Sequence, residues 1–588
     1  MKQLKITLIE LPATTNGTLH GGLSDDVYSF VKLPSRATDL LAAIAKKAGY
    51  MDVEAINPVF NKVSGLFTHV QLKRTVTSDV LGISTITRTA GQSYELARYV
   101  RKINPSVRII MGGPHASALP EDALQYADIV ILNEGDHTFV DLLEHETSLR
   151  GRRAEAISCG GSLRPSTSSG LAMTLNDIPG IAFKDASGTV VRTQKRAFLT
   201  NEELSSLPYP VYTQDTLNGI SHTVINTSRG CPYGCEYCAV IENFGQKYRF
   251  LSVESTIGLI KHTLLQTRKR IFFGDDNFAA VPNHTKALLE EILRQGIKMP
   301  SWLTQVRVES ARDPELLKLM KRAGCERVCI GFESVNEETL KAFNKSSNVE
   351  KNTLAIELFH KAGISIHGMF IVGADTDTTA NVKETADYAK KNRIDTVQFT
   401  YMVPLPGTKM TRRMEKENRV ISHDWHLYDG HHVLIKPMLM TSPELVDAAN
   451  DAWLSFYSFK EAFKHLLCGN EHWYNCMVRI WGRKLLSKMI KKDSYYKRSL
   501  ASLEDWHKRA VNEYDRWSEK VDDISKDMQC SLEEKHRKAR EEITRVLKLI
   551  SEQRDAMDDY FEPYKRKMLE KLEELMQQRL AELLPVPA

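Results

Sequence analysis

The chain lacks several features that would define its class at once. It contains no apolar run of about 18 residues, so no transmembrane helix is predicted. Its net charge is only +5, from 79 basic and 74 acidic residues, so nucleic acid is not an expected partner. Nine cysteines in 588 residues do not make a disulfide scaffold and favour a reducing, cytoplasmic compartment. The opening segment, Met1 to Ile6, leads into a predicted strand, which is not typical of a signal peptide.

Three of the nine cysteines stand close together, at Cys231, Cys235 and Cys238. Thiolates at this spacing, C-x3-C-x2-C, are typical ligands of zinc or of an iron–sulfur cluster. A structural zinc ion needs four ligands, so this segment would have to recruit a distant cysteine such as Cys325 or Cys329. Three ligands on a four-iron cluster leave one iron open to a small molecule.

The first 150 residues alternate short apolar segments with helical ones. Predicted strands cover residues 5–10, 52–56, 79–84, 107–111 and 128–132, with helices over 33–50 and 93–103. This alternation predicts a parallel, doubly wound α/β sheet whose ligand lies beyond the carboxyl ends of the strands. The residues at those ends are Ser84, Thr85, Gly112, Gly113, Pro114, His115, Glu134 and Gly135. A Rossmann-like sheet that binds another ligand, or none, is the alternative, and His115 is equally well explained as a solvated turn residue.

A second α/β unit follows over residues 221–415. With the strand before Cys231, predicted strands over 270–273, 302–308, 327–332, 365–372 and 396–401 make six strand–helix units. They predict a partial (β/α)6 barrel with its site at the carboxyl ends. The candidates there are Gly274, Asp275, Asp276, Arg307, Glu333, Ser334, Ile371 and Gly373. By themselves, Asp275 and Asp276 are equally compatible with a Mg²⁺ site. Glu333 is also explained as a solvated strand end, and Ile371 as a core residue.

The remaining segments are less regular. Residues 151–220 are predicted as a linker with a hairpin, and residues 416–500 as a helical cap region whose Trp453, Phe456, Tyr457, Phe459 and Phe463 face the barrel. The stretch from Asp424 to His432 is either a lid over the site or a packed irregular segment. Residues 501–588 contain 21 acidic and 17 basic residues with apolar stripes, which predicts exposed helices or a coiled coil. These helices either dimerise or bind a partner protein, or form a solvated tail.

The cysteine spacing, with Tyr237 before the third cysteine, resembles the radical S-adenosylmethionine (SAM) superfamily. The preceding doubly wound domain resembles the B12-binding domain of its cobalamin-dependent members. The resemblance implies a [4Fe–4S] cluster on Cys231, Cys235 and Cys238 whose open iron chelates SAM. It implies that Gly274, Asp275 and Asp276 bind the methionine amino group and Arg307 its carboxylate. Glu333 and Ser334 would bind the ribose, and Ile371, Gly373 and Tyr237 the adenine.

The same resemblance assigns the strand-end residues of the first domain, Ser84 to Gly135, to cobalamin. One motif departs from the pattern. Members that ligate cobalt from the protein carry Asp-x-His-x-x-Gly after the first strand, whereas this chain has Leu11 to Gly17 without a matching histidine, and His20 lacks the aspartate. We therefore expect no protein histidine on the cobalt.

These implications predict a radical SAM enzyme, with cobalamin-dependent methylation of an unactivated carbon as the expected reaction. A reductant such as a flavodoxin or ferredoxin is then a required partner. The alternatives are a radical cyclisation or rearrangement, a radical SAM enzyme whose first domain only docks substrate, and an iron–sulfur sensor or electron-transfer protein. A methylthiotransferase is disfavoured because no cysteine precedes Cys159. The substrate is not specified by the sequence.

Overall fold

The computed structural model describes residues 2–14, 31–57, 67–158, 174–467, 473–492, 494–527, 531–552 and 561–584. Cys159 and His20, which were named above, lie outside these ranges. Among the described helices, none has the combination of length and apolar character needed to span a bilayer.

The first domain is built on a parallel sheet with strand order β2-β1-β3-β4-β5. Its strands are β1 (Ile6–Glu10), β2 (Val53–Ile56), β3 (Val80–Ser84), β4 (Arg108–Gly112) and β5 (Ile129–Ile131). Its helices are α1 (Thr38–Lys47), α2 (His69–Val76), α3 (Ala90–Ile103), α4 (Pro114–Ala118), α5 (Pro120–Ala123) and α6 (Asp136–Ser158). The central strands are buried on both faces, which is why they read as continuous apolar runs. The predicted doubly wound sheet is confirmed.

The predicted hairpin of the linker extends this sheet. Strands β6 (Ile181–Lys184) and β7 (Val190–Arg192) pair antiparallel with each other, and β6 pairs antiparallel with β5. Two short helices, α7 (Asn201–Ser205) and α8 (Gln214–Gly219), then lead into the second unit. Thr200 caps α7 through a reciprocal capping box with Glu203, which fixes the point where this helix begins.

The second unit is a six-stranded, all-parallel sheet with order β15-β14-β13-β12-β11-β8. Its strands are β8 (His222–Ile225), β11 (Arg270–Phe273), β12 (Trp302–Val306), β13 (Cys325–Glu333), β14 (Ser365–Val372) and β15 (Thr396–Tyr401). The ribbon of β9 (Ser228–Arg229) and β10 (Arg249–Phe250) follows β8. The helices are α9 (Val240–Phe244), α10 (Val253–Gln266), α11 (Pro282–Arg294), α12 (Pro314–Arg322), α13 (Glu337–Ala342), α14 (Val349–Lys361), α15 (Thr379–Lys391) and α16 (Lys409–Lys416). The six predicted strand–helix units are present.

Six further helices in the described ranges follow this sheet, and the first of them packs against its edge strand β15. They are α17 (Ser442–Phe456), α18 (Phe459–Leu467), α19 (Trp473–Lys492), α20 (Ser494–Lys526), α21 (Leu532–Glu552) and α22 (Glu562–Leu583). Trp453 packs edge-on against Phe399 at 5.5 Å, and the Tyr457 hydroxyl donates to the Val397 carbonyl at 2.8 Å. Phe459 and Phe463 do not share this face: they are 54% and 64% exposed, because α17 ends at Phe456 and α18 turns away from the barrel.

The charged tail buries its apolar stripes within the chain. Ile543, Val546 and Ile550 on α21 lie in one core with Trp506 and Trp517 of α20, and with Leu572 of α22. Among the described residues, the predicted apolar stripe of α21 thus packs against neighbouring helices of the same chain. The stretch from Asp424 to His432 is a packed segment, in which the Asp429 carboxylate accepts from the His431 backbone at 2.7 Å.

Candidate active site between two sheets

The three cysteines occupy a loop that is held from several sides. The loop lies inside the β9–β10 ribbon and begins after Gly230, whose φ is +83°. A Cβ at this position would lie 2.6 Å from the Lys247 carbonyl oxygen, so the turn requires glycine. Asn344 donates to the Gly234 carbonyl at 3.0 Å, and the Met410 backbone donates to the Glu236 carbonyl at 3.2 Å. The barrel therefore sets the path of the loop before any cofactor binds.

The thiols of Cys231, Cys235 and Cys238 are free, and burial raises the pKa of Cys238 to about 12. No three His, Cys, Asp or Glu side chains of the described ranges form a single-ion metal site. Cys325 opens β13 at its amino end, whereas the loop follows the carboxyl end of β8, so Cys325 lies at the opposite edge of the sheet. These positions fit three ligands of a cluster better than a zinc site completed by Cys325.

The two aspartates after β11 have different surroundings. Asp275 is fully buried, and its carboxylate accepts from the Thr227 and Ser228 backbone N–H groups at 2.8 and 2.5 Å and from both hydroxyls. It fastens the segment that precedes the cysteine loop, and its contact with SAM stays a prediction. Burial raises the pKa of Asp276, whose charge in turn adds to the elevated pKa values of Cys231 and Cys238. Asp276 is thus near enough to the thiols to affect their pKa values.

Arg307 lies directly beside the cysteine loop. Its Nη1 is 3.9 Å from the Cys235 sulfur, and its guanidinium stacks 3.7 Å from the centre of the Tyr233 ring. Glu309 holds it through contacts of 3.2 and 3.1 Å, and Ser346 accepts a third hydrogen bond at 2.9 Å. Arg307 directly follows β12, whereas the sequence predicted a longer strand that included it. A fixed cation therefore stands next to the predicted cluster.

The end of β13 carries a strained residue. Glu333 has a φ of +65°, which is rare for a residue other than glycine. The pairing register between β13 and β14 also shifts at this point. Its carboxylate accepts from Lys345 at 2.8 Å. Burial, and next the charge of Glu333, raise the pKa of Tyr237 well above its usual value. Glu333 and Tyr237 are therefore neighbours, as their predicted places around one ligand require.

The other predicted SAM residues divide into two groups. Ile371 is half-buried in the same apolar cluster as Tyr237, with Phe343 and Met402. Ser334 and Gly373 serve the local fold: the Ser334 hydroxyl accepts from the Asn336 backbone at 3.0 Å, and Gly373, with a φ of +89°, lets Leu445 approach.

A cavity of about 660 Å³ separates the carboxyl edges of the two sheets. The first domain contributes strand-end residues to its wall, and the barrel contributes residues beside the cysteine loop. From the first domain these are Ser84, Gly112, Gly113, Pro114, Glu134 and Gly135, and from the barrel Asn226, Arg229, Gly274 and Asp276. A volume of this size suits a bound cofactor or small molecule. Six predicted residues of the first domain and two of the barrel, Gly274 and Asp276, therefore line one shared space.

Ion pairs join the two domains at the edge of this cavity. Asp136 binds Arg229 through two contacts of 2.7 and 2.9 Å, and Glu134 binds Arg249 at 2.8 Å. All four side chains are largely buried. Burial pushes the pKa of Asp136 upward, but the Arg229 guanidinium more than offsets this and holds it below the usual range. Because Arg229 lies two residues before Cys231, the first domain is fastened directly to the cysteine loop.

Three of the predicted cobalamin residues also have structural tasks. Gly113 has a φ of +93°, and a Cβ there would lie 2.7 Å from the Thr85 carbonyl oxygen. Thr85 is buried and donates to the Gly112 carbonyl at 2.7 Å. The His115 ring is fully buried, contacts the Tyr94 hydroxyl at 2.9 Å and meets Trp425 edge-on, so neither Thr85 nor His115 reaches the cavity. Burial lowers the pKa of His115 to about 4.

Sequence reasoning missed several polar residues of the cavity, among them Asn226 and Arg36. Asn226 directly follows β8 and turns a buried amide oxygen toward Gly274, so the rule that ligands meet strand ends could have found it. Arg36 donates from the first domain to the Gly274 carbonyl at 2.9 Å. Its partner lies 238 residues away, so no local signal marked it.

Comparison with known proteins agrees with this geometry. The B12 binding domain profile matches residues 30–143, and the Radical SAM superfamily profile matches residues 225–389. An uncharacterized methyltransferase of Pyrococcus horikoshii is 28% identical over 66% of this chain and 81% of its own length. The bacteriochlorophyllide d C-12(1)-methyltransferase of Chlorobaculum tepidum is 29% identical over 45% of this chain and 59% of its own.

Two solved structures share the fold. The structure of the cobalamin-dependent SAM radical enzyme OxsB aligns with 99% of this chain and 80% of its own length, with a TM-score of 0.58 and 18% identity. The structure of the methyltransferase TsrM from Kitasatospora setae aligns with 71% of this chain and 79% of its own length, with a TM-score of 0.53 and 17% identity. The chain is thus a radical SAM protein with a B12-binding domain. It belongs to the cobalamin-dependent radical SAM family, whose cofactors are a [4Fe–4S] cluster, SAM and cobalamin.

Proposed function

We propose that this radical SAM enzyme is a cobalamin-dependent methyltransferase that acts on an unactivated carbon. The observation that carries the proposal is the single cavity bounded on one side by the B12-domain strand ends and on the other by the residues beside the cysteine loop. A methyl carrier and a radical generator must face the same substrate atom, and this arrangement allows that.

The chain's own residues would hold the two cofactors. Cys231, Cys235 and Cys238 would ligate the cluster. Arg307 would pair with the methionine carboxylate as a bidentate fork, after exchanging some of its contacts with Glu309. Asp276 would face the methionine ammonium, a contact that is favourable because the buried carboxylate meets an opposite charge. When bound, the cluster supplies the electron that cleaves SAM, and cobalamin carries the methyl group.

Further residues would orient SAM and the corrinoid. Glu333 and Ser334 would lie at the ribose, and Tyr237, Ile371 and Gly373 at the adenine. Ser84, Gly112, Gly113, Pro114, Glu134 and Gly135 would border the cobalamin. The ion pairs between Glu134, Asp136, Arg229 and Arg249 would keep the two cofactors facing each other and exclude water from the space between them. A flavodoxin or ferredoxin remains the expected electron donor.

The test uses protein purified without oxygen, loaded with cobalamin and reduced. Corrinoid and iron are assayed first, and about one corrinoid and four irons per chain are expected. Incubation with SAM and candidate substrates should yield 5′-deoxyadenosine together with S-adenosylhomocysteine, and a product heavier by one methyl group. Iron without corrinoid would overturn the proposed methyl transfer.

Cyclisation is the second candidate, because relatives support it. The anaerobic magnesium-protoporphyrin IX monomethyl ester cyclase of Cereibacter sphaeroides is 25% identical over 72% of this chain and 67% of its own length. A cyclase would form 5′-deoxyadenosine without S-adenosylhomocysteine, so the same assay separates the two reactions.

A further inference from the structure

Helices α18 and α19 carry an exposed apolar patch that the proposed function does not use. Its members are Phe459 and Phe463, one turn apart on α18, and Met477 and Trp481, one turn apart on α19. Their exposed fractions are 54%, 64%, 52% and 50%. Large side chains that cluster on two adjoining helices and face water are typical of an interaction surface rather than of isolated exposure.

The two helices pack together in a way that places the four side chains on one side. The Cys476 thiol contacts the Ala462 carbonyl at 3.4 Å, and the Arg483 guanidinium lies 5.6 Å from the centre of the Phe459 ring. Cys476 and Ala462 are the sequence neighbours of Met477 and Phe463, so the exposed pairs of the two helices adjoin.

The charge around this patch has one predominant sign. Besides the buried Arg479, residues 459–492 contain seven lysines and arginines against two glutamates. On α19, the exposed Lys484 and Lys491 continue the stripe that Met477 and Trp481 begin. Aromatic and apolar side chains flanked by lysines are the composition by which helices lie on anionic lipid, with rings at the headgroup level and ammonium groups on phosphate.

The position of the patch argues against the electron donor as its occupant. Arg479 of α19 donates to the carbonyl of Ile394, just before β15 begins. The patch therefore lies at the amino edge of the barrel sheet, beside the edge strand farthest in order from β8. The cysteine loop follows the carboxyl end of β8, and a six-residue strand spans about 20 Å. A redox protein seated on α18 and α19 would be too remote from the cluster.

We propose that α18 and α19 form a peripheral docking face for an anionic lipid bilayer, on which the enzyme rests without crossing it. The face is formed by Phe459, Phe463, Met477 and Trp481, with Lys460, Lys484 and Lys491 at its border. This inference is independent of which reaction the active site performs.

The experiment is sedimentation of the full-length, cluster-loaded protein with lipid vesicles. Vesicles of phosphatidylcholine alone are compared with vesicles of phosphatidylcholine and phosphatidylglycerol, at low and high salt. We expect binding to the anionic vesicles only, weakened by salt. The double variant Phe463→Ser/Met477→Ser and the double variant Lys484→Glu/Lys491→Glu should each bind about tenfold more weakly.

Two matched control variants alter exposed residues away from the patch. Leu265→Ser removes a side chain that is 87% exposed on α10, and Lys318→Glu reverses an exposed charge on α12. Both should bind like the unaltered protein and keep its iron content. Absence of binding to anionic vesicles, equal binding to neutral ones, or normal binding by the two patch variants would overturn the proposal; in the last case another surface of the protein binds the lipid.

Discussion

The carboxyl edges of the two parallel sheets differ in how they use their predicted site residues. At the barrel edge, Arg307 and Asp276 stand around the cysteine loop, and Tyr237 is a neighbour of Glu333. At the edge of the first domain, Glu134 binds Arg249, and His115 is buried against Tyr94. At the same location in two similar sheets, charged residues thus surround the cysteine loop in one sheet and join the domains in the other.

The difference follows from what each sheet has to recognise. SAM presents an ammonium and a carboxylate, which call for charged side chains at fixed places. A wall that admits a large, mostly uncharged cofactor needs backbone that can be approached closely, which glycines at strand ends provide. Charged residues of the first domain are therefore free to fasten it to the barrel.

Loss of one cluster ligand should have the largest effect. Cys235→Ala would leave two thiolates for the cluster, so iron content and 5′-deoxyadenosine formation should both fall to background. Iron assay and product analysis check this. The control is Cys325→Ala, whose thiol lies at the other edge of the sheet. If Cys325→Ala also loses its iron while it remains folded, the division between the two edges is wrong.

Loss of the ion pair between Arg229 and Asp136, which joins the two domains, should have the second largest effect. Arg229→Met would leave Asp136 buried without its guanidinium, and removal of one partner of a buried pair costs about 3–5 kcal/mol. The first thermal transition should fall by several degrees, and the cysteine loop should become accessible to protease. Arg192→Met, which removes an exposed partner of Glu121, is the matched control. Equal behaviour of the two variants would mean that Arg229 does not hold the domains together.

Gly113→Ala tests the wall of the cavity in the first domain. The new Cβ would meet Thr85 backbone atoms at 2.7 and 2.9 Å in a left-handed conformation, at a cost of about 1–3 kcal/mol. Corrinoid content should fall while iron content stays. The control is Gly112→Ala, whose new Cβ would lie 3.7 Å from the Ile131 Cβ, an ordinary contact, and this variant should retain corrinoid. Parallel loss of iron and corrinoid would contradict the independence of the two sites.

Protonation of His115 should have the smallest effect, confined to acid pH. Its pKa of about 4 lies below the usual 6.5, so the unfolded chain binds more protons between these values. Stability should therefore fall as the pH drops from 6.5 toward 4, by about 2 kcal/mol at pH 5. Unfolding curves of His115→Phe should lose this dependence, whereas Tyr94→Phe should keep it. An unchanged pH profile in His115→Phe would place the titration elsewhere.

Local pattern was sufficient for the strands and for the cluster ligands. β11, β14 and β15 were predicted to the residue, because short apolar runs bounded by polar or glycine residues identify buried parallel strands without reference to distant partners. The cysteine spacing narrowed the chemistry to zinc or an iron–sulfur cluster, and the resemblance to the radical SAM superfamily favoured the cluster.

Only the tertiary structure decided which strand-end residues line the cavity and which are held by the surrounding fold. Asp275 and Asp276 are adjacent in sequence, yet Asp275 binds Thr227 and Ser228 while Asp276 lines the cavity. Arg36 and Arg229 acquired their roles from partners 238 and 93 residues away. A hydrogen bond depends on distance in space, which sequence separation does not encode, so side-chain partners between domains could not be read from the chain.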